Sequence, residues 1–378
     1  MSSEFESLPS PCYLLEAAKL RQNLQLIDRV QKASGCHIIL ALKGFAMWST
    51  FPMVREYLSG CSASSYNEAR LAKTHFGRHV HLYAPAYSET EFPELLPLAE
   101  RISFNSLSQW QRFGDQALAA EKSCGLRVNP TINEVATDLY NPCDNQSRLG
   151  ISVEQAAAGV PPGIEGLHVH ALCESDSNAT FRLIQAVEEK FAHWLPKLKW
   201  CNLGGGHLMT RKGYDVAALI EMLKGFRQRH PHLDIVLEPG SAIAWDTGPL
   251  VATVLDLIER GGVAIALLDV SATAHMPDVL EMPYRAEVSH GAEAGSRPYT
   301  YRLTGPTCLA GDIIGDYAFD QPLQLGERVI FEDMIHYTMV KTTQFNGVPH
   351  PAIAIRHEQG NIEIIKQFSY HDYERRLS

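Results

Sequence analysis

Lys43 is the residue whose type and position most clearly indicate chemistry. It ends the apolar segment His37-Ile38-Ile39-Leu40-Ala41-Leu42, which predicts a buried strand. A lysine at such a place is costly unless its charge is removed, paired or used. A desolvated amine loses proton affinity and becomes a nucleophile that can form a Schiff base. The alternative is a strand-end lysine whose ammonium group extends into solvent.

Two later segments carry residues suited to an anion and to a charged ring. Gly204-Gly205-Gly206 has no side chains, so its backbone N–H groups can approach phosphate closely, although a flexible turn would have the same composition. Glu238, in Glu238-Pro239-Gly240, leaves an apolar run and precedes a turn. A carboxylate there can hold a pyridinium nitrogen protonated, or it can pair with a basic residue of the same fold.

Histidine and cysteine add two further candidates. His168-Val169-His170 places two imidazoles on one face of a strand. Such a pair can bind a metal, but no carboxylate spacing supports that here, and we predict no metal site. His170 is the candidate for stacking on a cofactor ring, whereas His168 fits a core position. Cys308, in Gly305-Pro306-Thr307-Cys308, is either a loop thiol that can donate a proton or an inert, partly buried thiol.

The elements that must position these residues alternate between short apolar runs and amphipathic stretches such as Val216–Arg229. This alternation predicts parallel strands with right-handed crossovers. Eight units in about 200 residues suggest a (β/α)8 barrel, with a doubly wound open sheet as the alternative, and in a barrel the site lies at the carboxyl ends of the strands. The predicted strands are Cys36–Lys43, Gly60–Ser64, Val80–Pro85, Ile102–Ser106, Gly125–Pro130, Gly166–Leu172, Trp200–Gly205 and Ile235–Gly240.

The pattern of predicted elements changes after Gly248. Strand-like runs separated by Gly, Pro and Asp turns predict an all-β domain that also takes the N-terminal run Pro11–Leu15. We therefore predict a barrel over residues 16–248 and a β-domain formed by residues 1–15 and 249–378. The predicted strands after Gly248 are Leu250–Ile258, Val263–Val270, Tyr299–Thr304, Arg328–Phe331, Ala352–Ile355 and Ile362–Ile365.

Composition excludes several classes of partner. The net charge of −10 argues against nucleic acid, because phosphate neutralisation needs a basic surface. The N-terminus lacks a basic and apolar leader, and no stretch approaches the roughly 20 apolar residues that span a bilayer, so neither export nor a membrane is expected. The eight cysteines are scattered without a CxxC spacing, which is typical of reduced thiols in the cytoplasm.

Taken together, the motifs resemble the alanine racemase-like, fold type III pyridoxal-phosphate enzymes, and specifically the ornithine/diaminopimelate decarboxylase group. The resemblance runs over nearly the whole chain in the right order, from Lys43 through Gly204–Gly206, Glu238-Pro239-Gly240 and Cys308 to Tyr337. It implies an α/β fold with a TIM-like (β/α)8 barrel plus a C-terminal all-β domain. It also implies pyridoxal 5′-phosphate (PLP) as cofactor and a head-to-tail homodimer with shared active sites.

The same resemblance implies roles for individual residues. Lys43 forms the Schiff base with PLP, His170 stacks on its ring, and Glu238 pairs with the ring nitrogen. Cys308 returns a proton to the α-carbon and enters the site of the partner subunit. Glu238 separates the chain from the racemases, in which an arginine meets that nitrogen, and so favours decarboxylation. The remaining cofactor-binding residues implied by the resemblance are Gly204, Gly205, Gly206, Gly240 and Tyr337.

Departures from the group's usual motifs narrow the range of possible substrates. Ser241 replaces the arginine that usually follows Glu-Pro-Gly, and His170-Ala171-Leu172-Cys173 replaces His-x-Gly-Ser. Glu281 stands near the place where diaminopimelate decarboxylases carry an arginine for the distal carboxylate.

Three segments resemble the carboxynorspermidine decarboxylases, which also act on carboxyspermidine: His170–Glu174, Ser271–Asp278 and Cys308–Asp312. This resemblance implies a substrate with an α-amino acid head and a long cationic polyamine arm, and norspermidine or spermidine as product. Acidic residues could pair with the ammonium groups of that arm, although solvated loop residues would look the same in the sequence. The candidates are Glu174, Asp278, Glu281 and Asp312.

Two other functions stay open at this point. One is decarboxylation of another basic amino acid, namely ornithine, arginine, lysine or diaminopimelate. The other is a non-catalytic PLP-binding barrel, although such carriers lack the C-terminal β-domain that this sequence predicts.

Overall fold

The computed structural model describes residues 5–135, 139, 141–282 and 284–378, and the chain divides into two compact units. We call residues 21–243 the barrel unit, and residues 1–20 with 244–378 the sheet unit. The limits predicted from the sequence, residues 16 and 248, stay a prediction. Among the described residues, no helix is both long and apolar enough to cross a membrane.

The first described elements are strand β1 (Cys12–Glu16), which belongs to the sheet unit, and helix α1 (Ala17–Ser34), which follows it directly. Helix α1 is amphipathic: its fully buried apolar side chains recur every three or four residues, as a helix with one buried face requires. These side chains are Leu20, Leu24, Ile27 and Val30.

The barrel unit is built on a single parallel sheet. Its strands pair in the order β2-β10-β9-β8-β7-β6-β5-β4-β3. They are β2 (His37–Ile38), β3 (Leu40–Ala41), β4 (Gly60–Ala63), β5 (His79–Tyr83), β6 (Arg101–Phe104), β7 (Ser123–Val128), β8 (Ile164–Val169), β9 (Trp200–Asn202) and β10 (Asp234–Leu237).

One stretch of chain joins the two ends of this sheet. Strands β2 and β3 are separated only by Ile39, whose N–H donates to the carbonyl of Leu237 at 3.0 Å. On the other side, the N–H of Leu42 donates to the carbonyl of Ser62 at 3.1 Å. The first strand therefore bonds to both its neighbours in turn, and the eight strand segments form the predicted (β/α)8 barrel.

The helices of the barrel unit begin where the sequence supplies a cap. Ser65, Ser106, Asp176 and Asp215 each accept a hydrogen bond from a backbone N–H of the first turn that follows. The prediction of a helix over Val216–Arg229 is confirmed. The helices are α2 (Phe51–Tyr57), α3 (Tyr66–Leu71), α4 (Phe92–Leu95), α5 (Leu107–Ala119), α6 (Val153–Ala156), α7 (Ser177–Lys190), α8 (Val216–Arg229) and α9 (Ser241–Ala244).

The sheet unit holds a mixed sheet with short helices around it. Its strands are β11 (Leu250–Arg260), β12 (Val263–Leu268), β13 (Ala292–Glu293), β14 (Tyr299–Thr304), β15 (Ile313–Phe319), β16 (Arg328–Phe331), β17 (Ala352–Arg356) and β18 (Ile362–Lys366). Its helices are α10 (Ala272–His275), α11 (Asp278–Glu281) and α12 (Tyr370–Leu377).

The N-terminal strand is part of this sheet, as predicted. Strand β1 pairs parallel with β17 and antiparallel with β11, and Cys12 and Leu14 contribute to the buried cluster between them. Strand β15 and helix α12 were not predicted. Gly315 and Asp316 interrupt the apolar pattern of β15, and α12 is a largely polar helix without a buried side chain.

Candidate active site

The carboxyl ends of the barrel strands bring the predicted barrel residues to one rim. Lys43 follows β3, His170 follows β8, the three glycines follow β9, and Glu238 follows β10. Parallel strands carry their carboxyl ends to the same edge, which is why residues so distant in sequence lie together. Lys43 Nζ lies 3.2 Å from His170 Nε2.

His170 is held in one tautomer by the backbone. Its Nδ1 accepts a hydrogen bond from the N–H of Gly205 at 2.9 Å, so in the neutral ring the proton resides on Nε2. Burial, together with Lys43 and Arg127, lowers the pKa of His170 well below its usual value and keeps the ring neutral. The Nε2–H group therefore faces Lys43 Nζ, a contact that favours a neutral amine over an ammonium group.

The environment of Lys43 favours such an uncharged amine. Its side chain is accessible to solvent, yet the protein atoms packed around it lower its pKa, and the positive charge of Arg127 adds to this effect. The negative charge of Glu238 opposes it. A neutral amine that remains accessible can act as a nucleophile.

The glycine loop allows backbone segments to come very close. A Cβ atom at Gly204 would lie 2.5 Å from the carbonyl oxygen of Val169, and one at Gly206 would collide with the carbonyl of Leu172. Both glycines also have positive φ, 71° and 89°, which side chains disfavour. Substitution of either residue would therefore displace the segment that follows β8.

The amides of this loop are used differently from our prediction. The N–H of Gly204 donates to Asn202 Oδ1 at 2.8 Å, and that of Gly205 donates to His170. Two of the three predicted anion-binding amides thus bond to the protein, because the tight turn points them at side chains of the barrel. Of the three, the N–H of Gly206 has no backbone partner among the described residues and is left for an anion.

Gly240 packs against the turn that carries Lys43. A Cβ atom at Gly44 would lie 2.6 Å from the Cα atom of Gly240, so the two backbones are in direct contact. The Glu238-Pro239-Gly240 segment therefore supports the lysine turn as well as supplying the carboxylate.

Glu238 is buried, with 7% of its surface exposed. We call the cluster of buried polar residues around it the floor of the barrel. Its Oε1 accepts a hydrogen bond from Asn202 Nδ2 at 2.6 Å, and its Oε2 lies 3.6 Å from His168 Nε2. Burial raises the pKa of Glu238 from 4.5 to about 7, while Asn202 and Lys43 act in the opposite direction. A cation brought to this carboxyl would restore its negative charge.

The floor also contains polar residues that the sequence analysis did not single out. Arg127 is 4% exposed, donates to the carbonyl of His170 at 3.1 Å, and lies 4.7 Å over the ring of Tyr83. His81 is held between Ser103 Oγ at 2.8 Å and Asn202 Nδ2 at 2.9 Å. The available signal was a polar residue inside each of three largely buried strands, β5, β7 and β9.

Asp312, in the sheet unit, is buried and hydrogen-bonded within the protein. It is 3% exposed, and its carboxylate accepts from Ser271 Oγ at 2.9 and 3.0 Å, from the N–H of Ala272 at 2.7 Å and from Thr307 Oγ1 at 2.6 Å. These donors occupy both oxygens. The geometry does not support the predicted contact of Asp312 with a substrate, because a buried and fully bonded carboxylate has no site left for an ammonium group.

Two other predicted acids converge on one lysine. Asp278 and Glu281, one turn apart on α11, both accept hydrogen bonds from Lys341 Nζ. Two carboxylates around a single ammonium leave a net charge of −1. The pair can therefore attract a further cation, although more weakly than two unpaired carboxylates would.

The remaining predicted residues are placed as follows. Cys308 is exposed, and its backbone N–H donates to Asn346 Oδ1 at 2.8 Å. Tyr337 has a φ of 32°, a rare conformation for a bulky residue, and its ring lies 6.2 Å from that of His336. Glu174 is exposed, also with positive φ, and its carbonyl accepts from Arg211.

Known proteins resemble this chain over almost its full length. The family described as "Pyridoxal-dependent decarboxylase, C-terminal sheet domain" matches residues 23–335. The carboxyaminopropylagmatine decarboxylase of Synechocystis sp. is 53% identical over 371 residues, which cover 98% of this chain and 96% of the relative. The carboxynorspermidine/carboxyspermidine decarboxylase of Campylobacter jejuni is 42% identical over 380 residues, with 98% of each chain covered.

A solved structure agrees with this relationship. The crystal structure of carboxynorspermidine decarboxylase from Campylobacter jejuni, complexed with norspermidine, superposes with a TM-score of 0.90 at 41% identity. The match covers 98% of this chain and all of that one. The likeness thus extends over the barrel and the sheet unit alike. The chain belongs to the family of pyridoxal-dependent decarboxylases that carry a C-terminal sheet domain.

Proposed function

We propose that this protein uses PLP to decarboxylate carboxynorspermidine or carboxyspermidine, giving norspermidine or spermidine. The observation that carries the proposal is the pairing at the rim of the barrel. Lys43 Nζ contacts His170 Nε2, and the buried Glu238 stands on the neighbouring strand end. The relative and the solved structure from Campylobacter jejuni support the choice of substrate.

The residues present suit this cofactor. An amine with a lowered pKa can bond to the aldehyde carbon of PLP, and a buried carboxyl can balance a pyridinium charge. Gly206 and Tyr337 are the proposed phosphate contacts, and the glycine loop leaves no room for a side chain beside His170. When bound, PLP supplies the electron sink that accepts the electron pair left on the α-carbon as CO2 departs.

The other residues bind the substrate and manage its protons. His170 is oriented by Gly205 so that its ring can lie flat against the cofactor. Glu238 keeps the ring nitrogen protonated, and Cys308, an exposed thiol, returns a proton to the α-carbon. Asp278, Glu281 and Glu174 are the proposed contacts for the cationic arm. Asp312 is left out of this set because its hydrogen bonds are made within the sheet unit.

A second candidate substrate is carboxyaminopropylagmatine. The 53% identity to the Synechocystis relative favours it. The two kinds of substrate have the same α-amino acid head and differ at the far end of the arm, which is an amine in one and a guanidine in the other. Glu238, Lys43 and Cys308 would do the same chemistry in both cases. A planar guanidinium favours a carboxylate that can accept two parallel hydrogen bonds.

The test is to measure CO2 release from carboxynorspermidine, carboxyspermidine and carboxyaminopropylagmatine side by side, with ornithine, arginine, lysine and diaminopimelate as further substrates. The first proposal expects kcat/KM to be highest for one of the two carboxylated polyamines. A preference for carboxyaminopropylagmatine would select the second candidate. A preference for a short amino acid would overturn both, and so would the absence of turnover of every substrate in this set by the PLP-loaded protein.

We further propose a cytoplasmic homodimer in which Cys308 serves the site of the partner subunit. The variants Lys43→Ala and Cys308→Ala, each of which we expect to lose activity, provide a direct test, because mixing them creates mixed dimers with one intact site. Mixing equal amounts should restore about a quarter of the wild-type activity, because about half of the statistically exchanged dimers are mixed and each of these has one intact site of two. If Cys308 serves the site of its own subunit, mixing restores nothing.

A further inference from the structure

His168 is a buried imidazole that the fold leaves without a hydrogen bond. Its residue is 2% exposed, and neither Nδ1 nor Nε2 has a hydrogen-bond partner among the residues that the structure describes. Buried polar atoms are almost always paired in folded proteins, so an unpaired one calls for an explanation. The function proposed above assigns His168 no role.

The surroundings of His168 keep the ring neutral. Its ring meets that of Tyr83 edge-on at 5.1 Å and that of His81 at 5.5 Å. Burial, reinforced by nearby positive charge, holds the pKa of His168 well below its usual value, so the ring carries one N–H. The titratable and charged groups that act on it are Tyr83 and His81 on β5, Arg127 on β7, Lys43 after β3 and Glu238 after β10.

An acceptor that faces that N–H is Oε2 of Glu238, at 3.6 Å from His168 Nε2. Oε1 of this carboxyl accepts from Asn202, and the side chain of Ser62 also hydrogen-bonds to the carboxyl. This separation is slightly longer than a hydrogen bond, and a small rotation of either side chain would close it.

The other histidine beside Glu238, His81, cannot donate a hydrogen bond to this carboxyl. His81 Nδ1 lies 3.4 Å from Oε1, but it accepts a hydrogen bond from Asn202 Nδ2 and therefore carries no proton. Its opposite nitrogen, Nε2, is bonded to Ser103 Oγ. Of the two histidines at the floor, only His168 has an N–H group to offer.

We propose that His168 is a positioning residue for Glu238: its Nε2–H donates to Oε2, and with Asn202 on Oε1 it holds the carboxylate ionised for the pyridinium of the cofactor. This inference rests on the proposed function for the identity of the cation. No covalent bond changes, since the proton stays on His168 and the carboxylate gains a further donor. Each donor to an ionised carboxylate lowers the free energy of its charged form.

The experiment follows the protonation of Glu238 in the full chain freed of cofactor, by infrared titration of the carboxyl C=O band, with Glu238→Gln identifying the band. His168→Leu should raise the midpoint by about one pH unit, which is about tenfold in the ionisation constant. His168→Gln keeps an N–H donor and should raise it by less than half as much. An unchanged or lowered midpoint in His168→Leu would overturn the proposal.

His275→Leu is the matched control, because His275 is also a buried histidine with a depressed pKa but belongs to the sheet unit. It should leave the midpoint unchanged, and an equal shift would reduce the effect to general loosening and overturn the proposal.

A second readout is PLP affinity, which should fall about fivefold in His168→Leu near pH 7 and recover towards pH 9, as ionisation of a group shifted by one unit requires. The infrared result needs neither cofactor nor substrate, so its failure and that of the proposed function are separate outcomes.

Discussion

Charged side chains have opposite environments in the floor of the barrel and in the loops of the sheet unit. In the floor they have few partners, whereas in the loops they are hydrogen-bonded or ion-paired. In the barrel unit, Glu238 is buried without a cation in hydrogen-bond contact among the described residues, and burial raises its pKa to about 7. In the sheet unit, Asp312 is equally buried but receives hydrogen bonds from Ser271, Ala272 and Thr307. Asp278 and Glu281 share Lys341.

This difference distinguishes ionisable groups that are available for reaction from ionisable groups that stabilise the fold. A buried ionisable group with few partners keeps a displaced pKa, and the arrival of a complementary charge can pull it back. A carboxylate whose oxygens are all bonded contributes to folding instead, and leaves nothing for a ligand. Substitutions at both kinds of group can test this contrast.

Replacing Lys43 by alanine should reduce CO2 release at least about 1,000-fold, because the nucleophilic amine is lost. The same variant should lose the visible absorbance band that borohydride removes from the PLP-loaded protein. Lys19→Ala is the control, since Lys19 is an exposed lysine paired with Asp246, and it should behave as wild type. Activity above about a tenth of the wild-type value in Lys43→Ala would contradict the role of this lysine.

Replacing Asp312 by alanine should lower the free energy of unfolding by about 3 kcal/mol, since buried donors in two loops lose their acceptor. Denaturant titration measures this change. The matched control is Asp316→Ala, which breaks a half-exposed pair with Arg302 and should cost less than about 1 kcal/mol. Unchanged stability together with a raised KM would instead restore Asp312 as a substrate contact.

Glu238 should make the cofactor-free protein less stable as the pH rises. Its pKa of about 7 in the folded state exceeds the usual 4.5, so between these values the folded protein keeps a proton that the unfolded chain releases. The stabilisation is complete below about pH 4.5 and is lost as the pH rises to about 7.

Glu238→Gln removes this dependence. The stability of wild type relative to that variant should therefore fall by about 3 kcal/mol across the window, as measured by denaturant titration at a series of pH values. Taking the difference between the two proteins cancels the opposite contribution of the buried histidines, whose lowered pKa values act in the other direction. A relative stability that stays constant or rises with pH across this window would contradict a raised pKa of Glu238 in the folded state.

Replacing Lys341 by methionine should change substrate binding only a few-fold. The change takes the net charge of the cluster formed with Asp278 and Glu281 from −1 to −2, so the KM for a cationic substrate should fall about two- to fivefold with kcat unchanged. Lys366→Met, at an exposed pair with Asp372, is the control and should leave KM unchanged. A KM that stays the same or rises in Lys341→Met would show that these carboxylates do not meet the substrate.

The barrel and its rim were predictable because the relevant signals are local. Each inner strand is a short apolar run, each run ends in Gly, Pro or a polar residue, and parallel pairing sends those ends to one edge. Lys43, His170 and Glu238 therefore came together as expected. The capping serines and aspartates fixed the helix starts in the same local way.

The use of individual polar groups was less predictable. The sequence indicates that Gly204 and Gly205 allow a tight turn, but not that Asn202 and His170 take their N–H groups. Arg127 and His81 were missed because a polar residue within an apolar strand has no distinguishing pattern until the inward face is known. The same holds for Asp312, which lies at the end of a loop that wraps around its carboxylate.

The periodicity of the strands, the special residues at their ends and the resemblance of the motifs to a decarboxylase family can all be read from the order of the amino acids. These depend on neighbours along the chain, and an amino-acid sequence displays them directly. Which ionisable groups lack partners depends on the folded arrangement: Lys43 and Glu238 keep displaced pKa values, whereas both oxygens of Asp312 accept hydrogen bonds. The physical reason is that burial and electrostatic interaction depend on distances between segments far apart in the chain, which are fixed only when the fold closes.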